Sequence, residues 1–459
     1  MTSTVEFDIE LVQRYDVAGP RYTSYPTAPW FRDDFGPEDY RARAAETDPE
    51  RPLSLYFHIP FCATLCFYCA CNKIVTKNRA HATPYLERLG REIELQSALF
   101  PGRPSVDQLH WGGGTPTFLD DGQIEWLVER IRAAWPMRDD DAGDYSIELD
   151  PRAVGTDTIH LLRRLGFNRA SLGVQDLNED VQRAVNRIQP ESVTRATLET
   201  CREAGFRSLN IDLIYGLPLQ TLDTFTRTIE RVIELGPDRI AIYNYAHLPH
   251  HFPPQRRIRA EDLPSAAERL AILRRGIERL TAAGYVYIGM DHFARADDEL
   301  AVAQSAGTLT RNFQGYSTHG DCDIVAHGTS AISMFGDCYT QHFRDRTLWS
   351  AALDGDEIPV NRGLQLSPDD RLRRDLITRL MCDFELNLPV FEQRHGIDFA
   401  QKFAPECAAL EPLIADGLVE WEGRRLRVTP AGRLLVRNVA MVFDRYLEHD
   451  RNTRWSRAI

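Results

Sequence analysis

The sequence predicts an α/β chain. A partial barrel of six β/α units forms its centre, with a polar arm before it and a mostly helical, winged-helix-like domain after it. Three observations carry this prediction. Short apolar runs recur between amphipathic helical stretches from residue 53 to residue 245. A loop holding four of the nine cysteines leaves the end of the first run. Near residue 356 the pattern changes to helices and a single hairpin. The segments that follow are an arm at 1–50, a barrel at 51–355 and a C-terminal domain at 356–459.

The arm is polar and contains Gly19-Pro20-Arg21-Tyr22-Thr23-Ser24-Tyr25-Pro26. Its two prolines favour an extended or turned chain over a helix. It suits a surface arm packed on the core. It equally suits a lid over an anionic, planar ligand, because arginine pairs with carboxylates and tyrosine stacks.

The barrel is read from apolar runs at 53–59, 108–111, 145–149, 170–174, 209–214 and 240–245. Helical stretches lie at 84–99, 121–134, 156–165, 179–185, 191–204 and 222–235. Strand, helix, strand at this spacing gives right-handed βαβ units and a parallel sheet. An open doubly wound sheet has the same rhythm, but a cysteine loop at the end of the first strand favours a barrel with its site at the strand C-termini. Residues 256–291 are charged and helical, with a strand-like run at 285–290. The Gly-, Ser- and Thr-rich stretch 312–336 reads as an ordered loop region returning to the site, with 330–334 as candidate lining.

The last segment shows helices at 369–382, 406–415 and 430–446, and a hairpin at 418–429 turning at Glu422-Gly423. Winged helices often bind DNA, and Arg424, Arg425, Arg427 and Arg433 are of the right type. A net charge of −13 argues against nucleic acid or an anionic membrane as the main partner. A cover for the barrel mouth is the other reading. No apolar run approaches the ~18 residues that cross a bilayer. The acidic start MTSTVEFDIE lacks an apolar signal core, so a reduced, cytoplasmic protein is expected.

The chemistry is concentrated in Tyr56 to Asn72, YFHIPFCATLCFYCACN. Cys62, Cys66, Cys69 and Cys71 form a C-x3-C-x2-C-x-C array. Thiolates this dense repel one another unless a cation holds them. Zinc prefers two separated C-x2-C knuckles, and no second knuckle follows, although a zinc site stays open at this point. A C-x3-C-x2-C loop suits three irons of a four-iron cluster whose fourth iron is left for a ligand. Polar groups collect at the other strand ends. Gly112-Gly113-Gly114-Thr115-Pro116 brings backbone close to a ligand and frees N–H groups. Glu148 and Asp150, Gln175 and Asp176, Asp212, and Asn244 to Pro249 follow on the same rim. The other five cysteines are scattered and read as ordinary buried thiols.

Taken together, these motifs resemble one family, the oxygen-independent coproporphyrinogen III oxidases (coproporphyrinogen dehydrogenases) of the radical S-adenosylmethionine superfamily. The HIPFC cluster loop with Cys71, the Gly19-to-Pro26 phrase, the Trp111-to-Thr117 run and Asn210 to Pro218 carry the resemblance most specifically. It implies a partial (β/α)6 radical-SAM barrel, an N-terminal arm over the active site and a helical C-terminal domain. It implies a four-iron, four-sulfur (4Fe–4S) cluster on Cys62, Cys66 and Cys69, and two S-adenosylmethionine molecules. The first would contact Tyr56, Gly113, Glu148 and Ile332. The second would contact Tyr68, Gly114, Thr115, Gln175, Arg187, Asp212 and Ala246. It implies oxidative decarboxylation of two propionates of coproporphyrinogen III to vinyl groups, giving protoporphyrinogen IX, by 5′-deoxyadenosyl radical chemistry. The partners expected are this substrate and a reduced flavodoxin- or ferredoxin-like donor, with no nucleic acid, no membrane and a monomeric chain. An anionic tetrapyrrole on an acidic protein demands local cations, and Arg21, then Arg311, are the candidates. The alternative is a haem-binding chaperone of the same superfamily, whose members lack the fourth cysteine and the arm. The resemblance assigns Cys71 no role.

Overall fold

Six stretches form parallel strands in the computed structural model, which describes residues 5–102 and 104–447. They are β1 (Leu53–Ile59), β2 (Val106–Gly113), β3 (Asp144–Leu149), β4 (Arg169–Gln175), β5 (Ser208–Tyr215) and β6 (Arg239–Asn244). Each pairs in parallel with the next in sequence. Helices Thr83–Ser97, Asp121–Ala134, Thr156–Arg164, Glu191–Ala204 and Leu222–Leu235 make the crossovers, with the short Glu179–Ala184 added after β4. Local chemistry sets their ends. Asp120 with Gln123 and Thr221 with Thr224 form reciprocal N-terminal boxes. Gly205 and Gly236 close two C-termini in the left-handed conformation.

Alternation explains why these strands were legible. In β4 and β5 the residues Ala170, Leu172, Val174, Leu209, Ile211 and Leu213 are buried. Ser171, Gly173, Gln175, Asn210 and Asp212 alternate with them on the half-buried inner face. The partial barrel expected from the sequence is therefore present, with its polar face turned inward.

The sheet also extends beyond β1, which the sequence reading missed. A further strand β7 (Asp323–His327) pairs in parallel with β1. Three antiparallel strands follow: β8 (Ile332–Phe335), β9 (Cys338–His342) and β10 (Val360–Gln365). The stretch read as a loop region with 330–334 as lining is thus largely sheet. Ser333 Oγ accepts from the Ala326 amide at 2.9 Å instead of facing a ligand.

By packing, Phe31–Ser265 and Asp321–Gln365 form one compact unit. The described residues of 1–30 and 366–459, together with Ala266–Gly320, form the other. In that second unit helix Pro368–Asp383 leads into a three-stranded sheet of Glu385–Asn387, Arg425–Val428 and Val419–Glu422. The hairpin turns at Gly423, as expected. The helix expected at 430–446 is shorter: only Arg433–Leu435 and Val436–Met441 are helical. Tyr22 and Tyr25 are buried in this unit, and the Tyr22 hydroxyl donates to Asp444 at 2.9 Å. Residues 1–4 of the predicted arm and 448–459 of the predicted C-terminal domain lie outside the described residues. No helix among the described residues is long and apolar enough to cross a membrane.

Candidate functional site

The cysteine loop is held as a closed unit at the end of β1. Phe61 is fully buried, stacked on Phe118 and edge-on to Tyr85. Amide bonds from Ile74 to the Pro60 carbonyl (2.7 Å) and from Thr76 to the Cys62 carbonyl (2.9 Å) bring the loop's exit back to its entry. Phe67 N donates to Val185 O at 3.0 Å, and Asn186 Nδ2 donates to Leu65 O at 2.8 Å, which ties the loop to the segment after β4. Phe67 and Tyr68 pack against Val181, Val185, Leu217 and Tyr245.

This loop walls a cavity of about 580 Å³. It contributes Cys62, Cys66, Cys69, Cys71 and Tyr68. The end of β2 contributes Gly113, Gly114 and Thr115, and β3 contributes Glu148. Gln175, Arg187 and Asp212 come from the far side. The cavity thus gathers most of the residues expected from sequence. Tyr56, Ala246 and Ile332 are not among its lining. Tyr56 lies beside it, its hydroxyl 3.1 Å from His58 Nδ1 and its ring stacked on His110. Ala246 is exposed after β6, and Ile332 stands on β8. Asp176 is buried in loop anchoring, bound by Thr228 and Gln220 at 2.8 and 2.6 Å. Arg21 and Arg311 belong to the other compact unit, where Arg21 pairs with Asp291 and Arg311 donates to the Arg21 carbonyl.

The glycine run is required by crowding. A Cβ on Gly113, at φ +113, would meet His58 at 2.6 Å, and one on Gly114 would meet the Phe61 carbonyl at 2.7 Å. The expectation that this run frees N–H groups is not met. Gly114 N donates to Ile59 O and Thr115 N to Phe61 O, both at 2.8 Å, and Gly113 N donates to Glu148 at 3.1 Å. The run serves to lock β2 to the loop.

Charges within the cavity are arranged in pairs and clusters. Burial opposes the Glu148 charge, but His110 and the Gly113 amide outweigh it and hold the carboxyl below its usual range. Burial is likewise overcome at Asp150 by Arg152 and Arg187. Arg152 grips Asp150 with two nitrogens at 3.0 and 2.7 Å. Both arginines also approach Cys66 Sγ, Arg152 at 3.7 Å and Arg187 at 3.6 Å. Thr115 Oγ1 lies 3.6 Å from Cys62 Sγ. Burial pushes Asp212 up to about 6, although Ser171 and Asn210 donate to it at 2.7 and 2.8 Å. The Arg187 Nε is buried without a partner. A hydrogen bond from Cys71 holds the Cys69 thiol down at about 6, while burial pushes Cys62 up to about 11.

This donor set fits a cluster better than a single ion. Zinc–sulfur bonds of about 2.3 Å would bring thiolates within ~4 Å of one another. Among the described residues, no three of the loop thiols lie within 4.8 Å of each other. Three soft ligands set wider than a single ion allows, around a shared cavity, match the demands of an iron–sulfur cube with a free corner. His58, His110, Arg152 and Lys73 were missed as neighbours of the site. His58 is written in the HIPFC phrase itself, but the other three are signalled only by strand register and loop closure.

Residues 56–232 match the family described as Radical SAM superfamily, and 366–435 match the HemN C-terminal domain. An oxygen-independent coproporphyrinogen III oxidase of Pseudomonas aeruginosa is 52% identical over 460 residues, covering 100% of both chains. The oxidase of that name from Escherichia coli is 50% identical over 456 residues, covering 99% of each. A solved structure, a coproporphyrinogen III oxidase from Escherichia coli described as a radical SAM enzyme, superposes with a TM-score of 0.92 at 48% identity. It covers 96% of this chain and 100% of its own.

Proposed function

The chain belongs to the oxygen-independent coproporphyrinogen III oxidases of the radical SAM superfamily, and from that premise we propose how its own residues serve the reaction. The reaction is the anaerobic oxidative decarboxylation of two propionate side chains of coproporphyrinogen III to vinyl groups, giving protoporphyrinogen IX. The bound cluster and two S-adenosylmethionine molecules supply one-electron chemistry and hydrogen abstraction from the propionate β-carbon. Everything else is positioning and exclusion of water.

Cys62, Cys66 and Cys69 are the three cluster ligands in this reading. The observation that carries it is their shared cavity, with thiols too widely set for one ion. Glu148 and Gly113 take the first S-adenosylmethionine, with Tyr56 and Ile332 completing its surroundings. Glu148 is charged and suits an ammonium. Tyr68, Gly114, Thr115, Gln175, Arg187, Asp212 and Ala246 take the second. Arg187 suits a carboxylate, and Gln175 and Asp212 suit ribose hydroxyls. Arg21 and Arg311 are the substrate-side cations. The arm 1–50, the barrel 51–355 and the domain 356–459 remain the functional segments of this reading.

The donor is a reduced flavodoxin- or ferredoxin-like protein, and the chain works as a cytoplasmic monomer without nucleic acid or membrane. The basic hairpin bears on nucleic acid alone: Arg424, Arg425 and Arg427 are paired with Glu392, Glu385 and Glu422. Its charge is already matched within the protein, which leaves little for phosphates.

The test is anaerobic. The cluster is reconstituted, reductant, S-adenosylmethionine and coproporphyrinogen III are added, and products are followed by mass spectrometry. Protoporphyrinogen IX with 5′-deoxyadenosine is expected from the parent and neither from Cys66→Ser. Stoichiometric haem binding without decarboxylation would turn the reading to the chaperone.

A further inference from the structure

The chain has 54 lysine and arginine residues, and only three are lysines: Lys73, Lys77 and Lys402. Nearly every cation of the chain is therefore an arginine. Lys402 is accounted for by an ion pair with Asp369 at 2.8 Å. The other two lie in or just after the cysteine loop and border its cavity. Lys77 is exposed and Lys73 half-buried.

The Lys73 ammonium donates to the carbonyls of Cys69 (3.0 Å) and Cys71 (3.3 Å). No carboxylate pairs with it among the described residues. The geometry explains the residue type. An ammonium is a compact charge with three donors in a tetrahedral array, so it can cap two converging carbonyls and keep its charge near the thiols. A guanidinium is a planar fork that spreads its charge and prefers a flat, bidentate partner. The neighbouring arginines show the contrast. Arg152 and Arg187 also reach the site, on the Cys66 side, where Asp150 pairs with both and offsets one of their two charges.

We propose that Lys73 is the cluster's counter-charge on the Cys69–Cys71 side: tied to the Cys69 and Cys71 carbonyls, it fixes that turn and makes the cluster easier to reduce. The proposal rests on the reading that Cys62, Cys66 and Cys69 hold the cluster. A thiolate-bound cluster that accepts an electron becomes more negative. A fixed, unpaired cation in a half-buried cavity opposes that rise in energy and lifts the potential. Lys77, in water, is screened and contributes little. Lys73 is a positioning residue, because it acts through the loop and its field.

The experiment uses the full chain, reconstituted anaerobically, as parent, Lys73→Met, Lys73→Arg and Lys402→Met. Iron content, melting temperature and the midpoint potential, followed by electron paramagnetic resonance with dithionite and mediators, are measured for each. Lys73→Met is expected to load iron and to be about tenfold harder to reduce, a fall of about 59 mV for one electron. Lys73→Arg should fall between it and the parent, and Lys402→Met should match the parent. If Lys73→Met loads no iron, Lys73→Gln, which keeps a donor for the two carbonyls without the charge, carries the test: a lowered potential supports the proposal and the parent potential overturns it. Parent potential in a fully loaded Lys73→Met overturns it. A Cys66→Ser chain that keeps a full cluster would instead sink the ligand reading, so the two failures are distinguishable.

Discussion

Asp212 shows how one residue trades stability for binding. Its carboxyl is buried against β4 and held up at about 6, above the ordinary 3.8. A raised carboxyl binds its proton more tightly folded than unfolded. Its contribution is therefore intact below pH 3.8 and is lost as pH rises through about 6. At neutral pH the ligand-free protein carries a charge it would rather not bury. Asp212→Asn should melt higher than the parent at pH 7.5, by on the order of 2–4 °C per kcal/mol recovered, and the gap should close below pH 4. The same variant should bind S-adenosylmethionine more weakly in calorimetry, because the ribose acceptor is weakened. Equal melting at every pH would mean the carboxylate is solvated. Gly114 is the opposite case, a residue that accepts no side chain at all. The Cβ of Gly114→Ala would sit 2.7 Å from the backbone of Pro60 and Phe61. Strain of this kind costs ~1–3 kcal/mol and shifts the loop. Reduced iron loading in a chain that still folds is the expected result, and full loading would show that the two strand ends are not locked.

At the scale of elements, the link between helix Thr83–Ser97 and the β7–β9 extension is a buried acid. Glu92 is fully buried and accepts from Gly328 N (3.0 Å), Trp349 Nε1 (3.1 Å) and Gln96 Nε2 (2.9 Å), with His342 Nδ1 at 3.0 Å. Glu92→Ala leaves these donors without an acceptor. The expected cost is ~3–5 kcal/mol, read as a lower urea midpoint. A shift of under ~1 kcal/mol would show that water replaces the carboxylate. No sequence pattern announced this element. Asp323–His327 is buried at every position, so it lacks the alternation that identified β5, and its glycine- and serine-rich surroundings read as loop. β1 is nearly as buried but is a seven-residue apolar run ending at a proline before the cysteines, whereas the five residues of β7 carry Asp323 and His327 at their ends and offer neither alternation nor a clear apolar run. The cysteines were legible by spacing alone. The row of side chains Tyr56, His110 and Ser146 was not, because it depends on register: pairing of β1 with β2 sets Tyr56 beside His110, and pairing of β2 with β3 sets His110 beside Ser146. Those three residues are 36 positions apart at the last step, and only the folded sheet makes them neighbours. The helix over-read at 430–446 has a similar origin. An apolar period was present, but at its start Gly432 packs against the Leu418 carbonyl with no room for a side chain, so close backbone approach and not helix propensity governs residues 430–432.

At the scale of the whole molecule, the chain is two compact units built from interleaved segments, and the cluster loop belongs to one of them. A single melting temperature is then a poor measure of what the cofactor does, since two units need not unfold together. Local protection is the better measure. The loop's closure rests on a few amides: Phe67 to Val185 O at 3.0 Å, Cys69 to Cys66 O at 3.2 Å, Ile74 to Pro60 O at 2.7 Å and Thr76 to Cys62 O at 2.9 Å. These are a few local links made by the half-buried Phe67, Cys69, Ile74 and Thr76, and links so few open by local unfolding at lower cost than the strands of the sheet. A cluster bound to Cys62, Cys66 and Cys69 binds only the closed loop, so loading must shift that opening equilibrium by mass action. Anaerobic hydrogen exchange should therefore show these amides slowing on cluster loading by at least tenfold, or about 1.4 kcal/mol. Val428, whose amide bonds to Phe384 O at 2.8 Å in the other unit, should change far less. Stripping the iron with a chelator should restore the fast exchange, and S-adenosylmethionine should add protection near Glu148 and Asp212 only after loading. Equal slowing in both units would mean that the cofactor stabilises the chain globally. No slowing at Phe67 and Thr76 would mean that the loop is already rigid without its metal, and the cluster would then bind a preformed site.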